Sequence, residues 1–97
     1  MADEELLLVA LVDLAAGAIE AGRQYEDEVL ALLARHGGTL ERRLRSAETE
    51  VQIIRFASRT GLDSFMSDPD RLTIRARYGD TAPLTRVLEV TEIPPTP

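Results

Sequence analysis

Residues 6–12 read Leu-Leu-Leu-Val-Ala-Leu-Val, seven apolar side chains with no alternation. A strand with one wet face alternates apolar and polar residues, so an unbroken run this short belongs to a strand covered on both faces. A helix is the competing reading, since Leu and Ala favour it; the shortness of the run and the Asp13 boundary favour the strand. Residues 51–56, Val-Gln-Ile-Ile-Arg-Phe, are of the same kind, with Val51 and Ile53 pointing one way and Ile54 and Phe56 the other. Both stretches belong in the middle of a sheet.

Between them, Ala18, Gly22, Tyr25, Val29, Leu32 and Leu33 recur at three- and four-residue spacing, with Glu20, Arg23, Gln24, Asp27, Glu28 and Arg35 opposite. This predicts a helix over residues 16–36, stopped by Gly37-Gly38. Residues 39–46 then alternate, with Leu40, Arg42 and Leu44 on one side and Glu41, Arg43 and Arg45 on the other, as in an edge strand with a charged face. The short link at 47–49 makes a hairpin with the strand that follows.

Ser58 offers an N-cap for a second helix through Leu62, Phe65 and Met66, although Gly61 stands where a capping box would place Glu or Gln. Asp68-Pro69 reads as a cap and first helical residue of a further helix through Leu72, Ile74 and Tyr78 to Gly79, so the helical layer is split in two. After Pro83, residues 84–93 form a last strand of mixed polarity, again suited to an edge. Pro94-Pro95-Thr96-Pro97 has too little to bury and is expected to be a disordered tail behind a single domain at 1–93.

The order is strand, helix, strand, strand, helix, strand: an α+β, ferredoxin-like βαββαβ fold with a four-stranded antiparallel sheet and helices on one face. Right-handed crossovers put the first and third strands in the centre. Those are the two strands read independently as apolar on both faces. The uncovered sheet face then calls for a partner, and two copies packed face to face form a closed homodimer, a dimeric α+β barrel.

Composition narrows the partners. A chain of 97 residues fits one domain and buries only about 60 to 65 per cent of its unfolded surface, which a second copy improves. Seventeen acidic against eleven basic residues give a net charge of −6, which opposes nucleic acid and anionic membranes. The trio Arg42, Arg43 and Arg45, with Glu41 beside it, is a charged edge or a small anion site. The absence of cysteine removes disulfides, thiolate metal sites and cysteine nucleophiles. The acidic start Met1-Ala2-Asp3-Glu4-Glu5 lacks the basic character of a secretory signal, and the apolar run behind it is too short to span a bilayer, so a cytoplasmic location is expected.

The segments Leu-Leu-Ala-Arg-His-Gly-Gly-Thr-Leu-Glu-Arg-Arg (32–43) and Glu-Val-Gln-Ile-Ile-Arg-Phe-Ala-Ser (50–58), with Phe65 through Asp68-Pro69, resemble the dimeric α+β barrel superfamily. Within it the chain is similar to a family of bacterial domains of about this length, and more distantly to antibiotic-biosynthesis-type monooxygenases and muconolactone isomerase-like proteins. The resemblance implies a pocket between sheet and helices in each protomer, a small apolar or aromatic ligand, and cofactor-independent chemistry. The oxygenase and haem-degrading branches typically use Asn, Trp and His, whereas this chain has no Asn and no Trp. A non-enzymatic dimerisation or interaction module is the alternative.

His36 is the sole histidine, either a cation at the last helical carbonyls or a pocket group; one histidine does not make a transition-metal site. Glu41 and Arg43, two apart on a strand, share a face directed at the partner sheet if Leu40 and Leu44 face the helices. There they form a carboxylate clamp with a general base, or an interfacial ion pair. Tyr25 is either core or a phenol offered to the pocket.

Overall fold

The computed structural model describes residues 4–96; Met1 to Asp3, in the acidic start, and Pro97, in the expected tail, lie outside it. Four strands, β1 (Leu6–Asp13), β2 (Gly38–Arg45), β3 (Thr49–Phe56) and β4 (Leu84–Val90), form one antiparallel sheet. Their order is β2-β3-β1-β4, with the two unbroken apolar stretches at the centre. Alternation splits β1 cleanly: Leu8, Ala10 and Val12 are buried, while Leu7, Val9 and Leu11 on the opposite face are only partly covered. Val9 pairs with Ile53 of β3 and Leu88 of β4, so the uncovered face is continuously apolar across three strands.

Three helices lie over the other face: α1 (Ile19–Leu30), α2 (Arg59–Met66) and α3 (Pro69–Tyr78). The first is shorter than its periodicity suggests. Gly17 at φ 77 delays its start, and after Leu30 the chain tightens into a 3₁₀ turn, Leu33–His36, closed by Gly37 at φ 73. That tightening buries both Leu32 and Leu33. The other expected caps form: the Ser58 hydroxyl accepts from the Gly61 amide at 3.1 Å, and the Asp68 carboxylate accepts from the Asp70 amide at 2.9 Å, with Pro69 at the first helical position. The last strand ends at Val90, and residues 91–96 form neither helix nor strand.

The edge strand departs from its alternation. Leu40 pairs with Ile54 but Arg42 pairs with Ile53, so Glu41 is an extra residue, a β-bulge that inverts every later side chain. Leu40 therefore faces the helices while Leu44 faces the open side. Glu41 and Arg43, expected on one face, stand on opposite faces.

Candidate functional site

A cavity of about 390 Å³ lies between the sheet and the helices. Its walls are apolar, from Leu8 and Ala10 of β1, Ile54 and Phe56 of β3, and Phe65 of α2. Four charged or amide side chains reach it from three elements: Glu26 of α1, Gln52 of β3, and Arg71 and Arg75 of α3. Thr85 lines it from β4.

Glu26 and Gln52 belong to a buried polar row. The Gln52 amide nitrogen donates to Glu26 Oε1 and to Glu50 Oε2, each at 2.7 Å. Arg43 Nε donates to the same Glu50 oxygen at 2.8 Å, and its Nη1 pairs with Asp27 at 2.6 Å, where the row reaches the surface. Glu26, Glu50 and Gln52 are 4, 1 and 2 % exposed, so hydrogen bonds must take the place of water. Burial raises the Glu26 carboxyl above the usual carboxylate range, and neighbouring Glu50 pushes the same way; the Gln52 hydrogen bond and the Arg43 and Arg71 charges pull back. A carboxyl so placed, facing an apolar cavity, is suited to accepting or returning a proton.

Arg71 lies opposite in charge. Its guanidinium carbon sits 5.3 Å from the Phe65 ring centre, its Nη1 reaches only the Met66 carbonyl at 3.4 Å, and its buried Nε has no hydrogen-bond partner among the described residues.

Of the four residues proposed from sequence, Tyr25 lines the cavity, its ring edge-on to Tyr78 at 5.5 Å. Arg43 stands behind the cavity as the anchor of Glu50. The other two lie elsewhere. Glu41, on the open face, accepts from Arg55 Nε at 2.7 Å, which holds its carboxyl below the ordinary value. His36 Nε2 lies 2.6 Å from Asp68 Oδ2 and outside the cavity lining; that contact, first among several, lowers the Asp68 carboxyl. His36 thus ties the 3₁₀ turn to the cap of α3, where a cation at helical carbonyls had been the simpler expectation.

Glu26, Gln52 and Arg71 are absent from the sequence-derived candidates. Glu26 shares a stripe with Gly22, Val29 and Leu33, and Gln52 alternates with Ile54 and Phe56, so both positions are readable as inward-facing. Among the described residues no group of three or more His, Asp or Glu converges to hold a metal, and no helix is long and apolar enough to cross a membrane.

No family model matches the chain, and no curated protein matches it by sequence. Solved structures do match. A candidate antibiotic biosynthesis monooxygenase from Nitrosomonas europaea superposes with a TM-score of 0.74 at 16% identity, covering 100% of this chain and 98% of its own. One from Bacteroides thetaiotaomicron gives 0.77 at 11%, covering 95% and 92%. The chain has the ferredoxin-like fold of the antibiotic biosynthesis monooxygenases. SnoaB, a cofactor-independent oxygenase from Streptomyces nogalater, shares that monooxygenase fold with a TM-score of 0.66 at 17% identity, over 98% of this chain and 100% of its own. Identities this low establish architecture, and the chemistry must be argued from the side chains.

Proposed function

We propose that the chain is a cytoplasmic homodimer that binds a small apolar or aromatic molecule in the cavity and acts on it without a cofactor. The observation that carries this reading is a sizeable apolar cavity lined in part by a raised carboxyl, Glu26. In the reacting step Glu26 takes a proton from a phenolic or enolic O–H of the ligand, the bond's electron pair staying on the ligand oxygen. Gln52 aims the carboxylate. Arg43 positions Gln52 through Glu50, Tyr25 forms part of the wall, and His36 fixes the start of α3.

Aromatic acids and quinols, screened by thermal shift and by turnover under air and under argon, test the reading. Glu26→Gln keeps an oxygen for the Gln52 amide but cannot accept the proton, so turnover is expected to fall roughly 10²- to 10⁴-fold with binding retained. Wild-type turnover should rise with pH as Glu26 ionises. A panel without a single stabilising ligand would end this reading in favour of a non-enzymatic dimerisation module.

The dimer is supported by the open sheet face, where Leu44 and Leu88 remain 40 and 43 % exposed in the single chain. Glu41 and Arg55 would flank that interface. Val9→Asp puts a charge at its centre, and sedimentation should shift from twice the chain mass to the chain mass. A variant that still sediments like wild type would move the interface elsewhere.

A further inference from the structure

We infer that the ligand is an aromatic carboxylate whose acid group pairs with Arg71 while its rings lie beside Phe65 in the cavity. This deepens the ligand-binding reading and rests on it.

The arginines of the structure fall into two groups. Arg35, Arg43, Arg55, Arg59 and Arg77 each pair with a carboxylate in the structure. Arg23, Arg42, Arg45, Arg71, Arg75 and Arg86 have no carboxylate within ion-pair distance among the described residues, and the Nε of Arg23 and of Arg71 is shut away from solvent without an acceptor; of these two only Arg71 lines the cavity. A buried charged donor left unmade is costly, and the fork of a guanidinium is matched best by a carboxylate. Glu26, whose carboxyl feels the Arg71 charge without an ion pair to it, is already engaged, because its Oε1 accepts from Gln52.

Arg75, one helical turn further along α3, lines the same cavity, so two guanidinium groups approach it from one helix. The whole chain carries a net charge of −6 and would repel an anion at long range, which makes the attraction a local property of this wall. A carboxylate-bearing ligand is therefore held with its acid group at Arg71 and its rings along Phe65 and the apolar walls. A linear fatty acid would meet the charge but forgo the ring contacts that an aromatic acid can make with the Tyr25, Phe56 and Phe65 side chains of the lining.

The test compares 2-naphthoate, its neutral amide 2-naphthamide, and octanoate by calorimetric titration of the full chain. Naphthoate is expected to bind roughly ten- to a hundred-fold tighter than the amide, the ratio of one charge-assisted pairing, and tighter than octanoate. Arg71→Gln should erase the preference for acid over amide, and Arg71→Lys, which keeps the charge without the fork, should retain part of it. An amide that binds as well as the acid, or an acid preference that survives Arg71→Gln, overturns the inference and leaves the ligand-binding reading standing. Failure of both naphthalene compounds to bind overturns the inference, and the ligand-binding reading falls with it only if the thermal-shift panel is empty as well.

Discussion

Gln52→Leu is expected to destabilise the chain by about 3 to 5 kcal/mol at neutral pH, roughly the loss of two hydrogen bonds to charged groups. The Gln52 amide nitrogen is the donor between Glu26 and Glu50, 2.7 Å from each. Leucine is of similar size but brings no donor, so two carboxyl groups stay buried with nothing between them. Arg43 continues to serve Glu50, whereas Glu26 loses its hydrogen bond. The loss should depend on pH. Burial already raises the Glu26 carboxyl, and the Gln52 hydrogen bond is the strongest influence against that rise, so the substitution raises it further. A carboxyl raised in the folded state contributes stability that is fully present below its unfolded pKa and is lost as pH climbs through the folded value. Wild type and variant both lose stability this way, the variant over a longer climb. Glu50, Arg43 and Arg71 also act on Glu26 and are common to both proteins. Urea midpoints at about pH 5 and about pH 8 should therefore show a gap that widens with pH. A gap independent of pH would mean that Gln52 acts through packing alone. Adding Glu26→Leu to the variant should remove the pH dependence and recover part of the loss.

The same residues show what a sequence can and cannot disclose. The central strands were legible because their test is internal: seven apolar residues in β1 and inward and outward apolar pairs in β3 have no exposed solution. The faces of Glu26, Glu50 and Gln52 were legible too, since period 3.6 in α1 and period 2 in β3 carry them beside Val29, Ile54 and Phe56. Their polarity drew attention away from their position. The β2 face was not legible, because a single bulged residue at Glu41 inverts the pattern and alternation contains no sign of it. Arg71 was still further from view. What marks it is a missing partner among the described residues at a cavity wall, and that is defined only once the side chains have been placed in space.

Gly61→Ala is expected to lower stability by on the order of 3 kcal/mol, although alanine ordinarily stabilises a helix interior over glycine by roughly 0.5–1 kcal/mol. A Cβ at this position would stand 2.3 Å from the His36 carbonyl oxygen, which is backbone and cannot swing aside. The 3₁₀ turn that carries this carbonyl is held at its C-terminal end by Gly37 at φ 73 and by the contact of His36 with Asp68 at 2.6 Å. The helix must therefore move, and α2 carries Phe65 while Asp68 caps α3. Glycine at the third residue of α2 is thus a requirement of close approach, where composition alone marks only a weak helix start. For a chain of this size the loss corresponds to a fall in Tm of roughly 12 to 24 °C. Ser64→Ala, an exposed position on the same helix, serves as the comparison and should stay within about 0.5 kcal/mol of wild type. Because Arg71 rides on α3 and Phe65 on α2, the displaced helices should also loosen the cavity, so any ligand bound by wild type should bind the Gly61 variant more weakly. A Gly61→Ala protein that melts at or above wild type would show that helix propensity outweighs the contact, and that α2 can shift without disturbing the site.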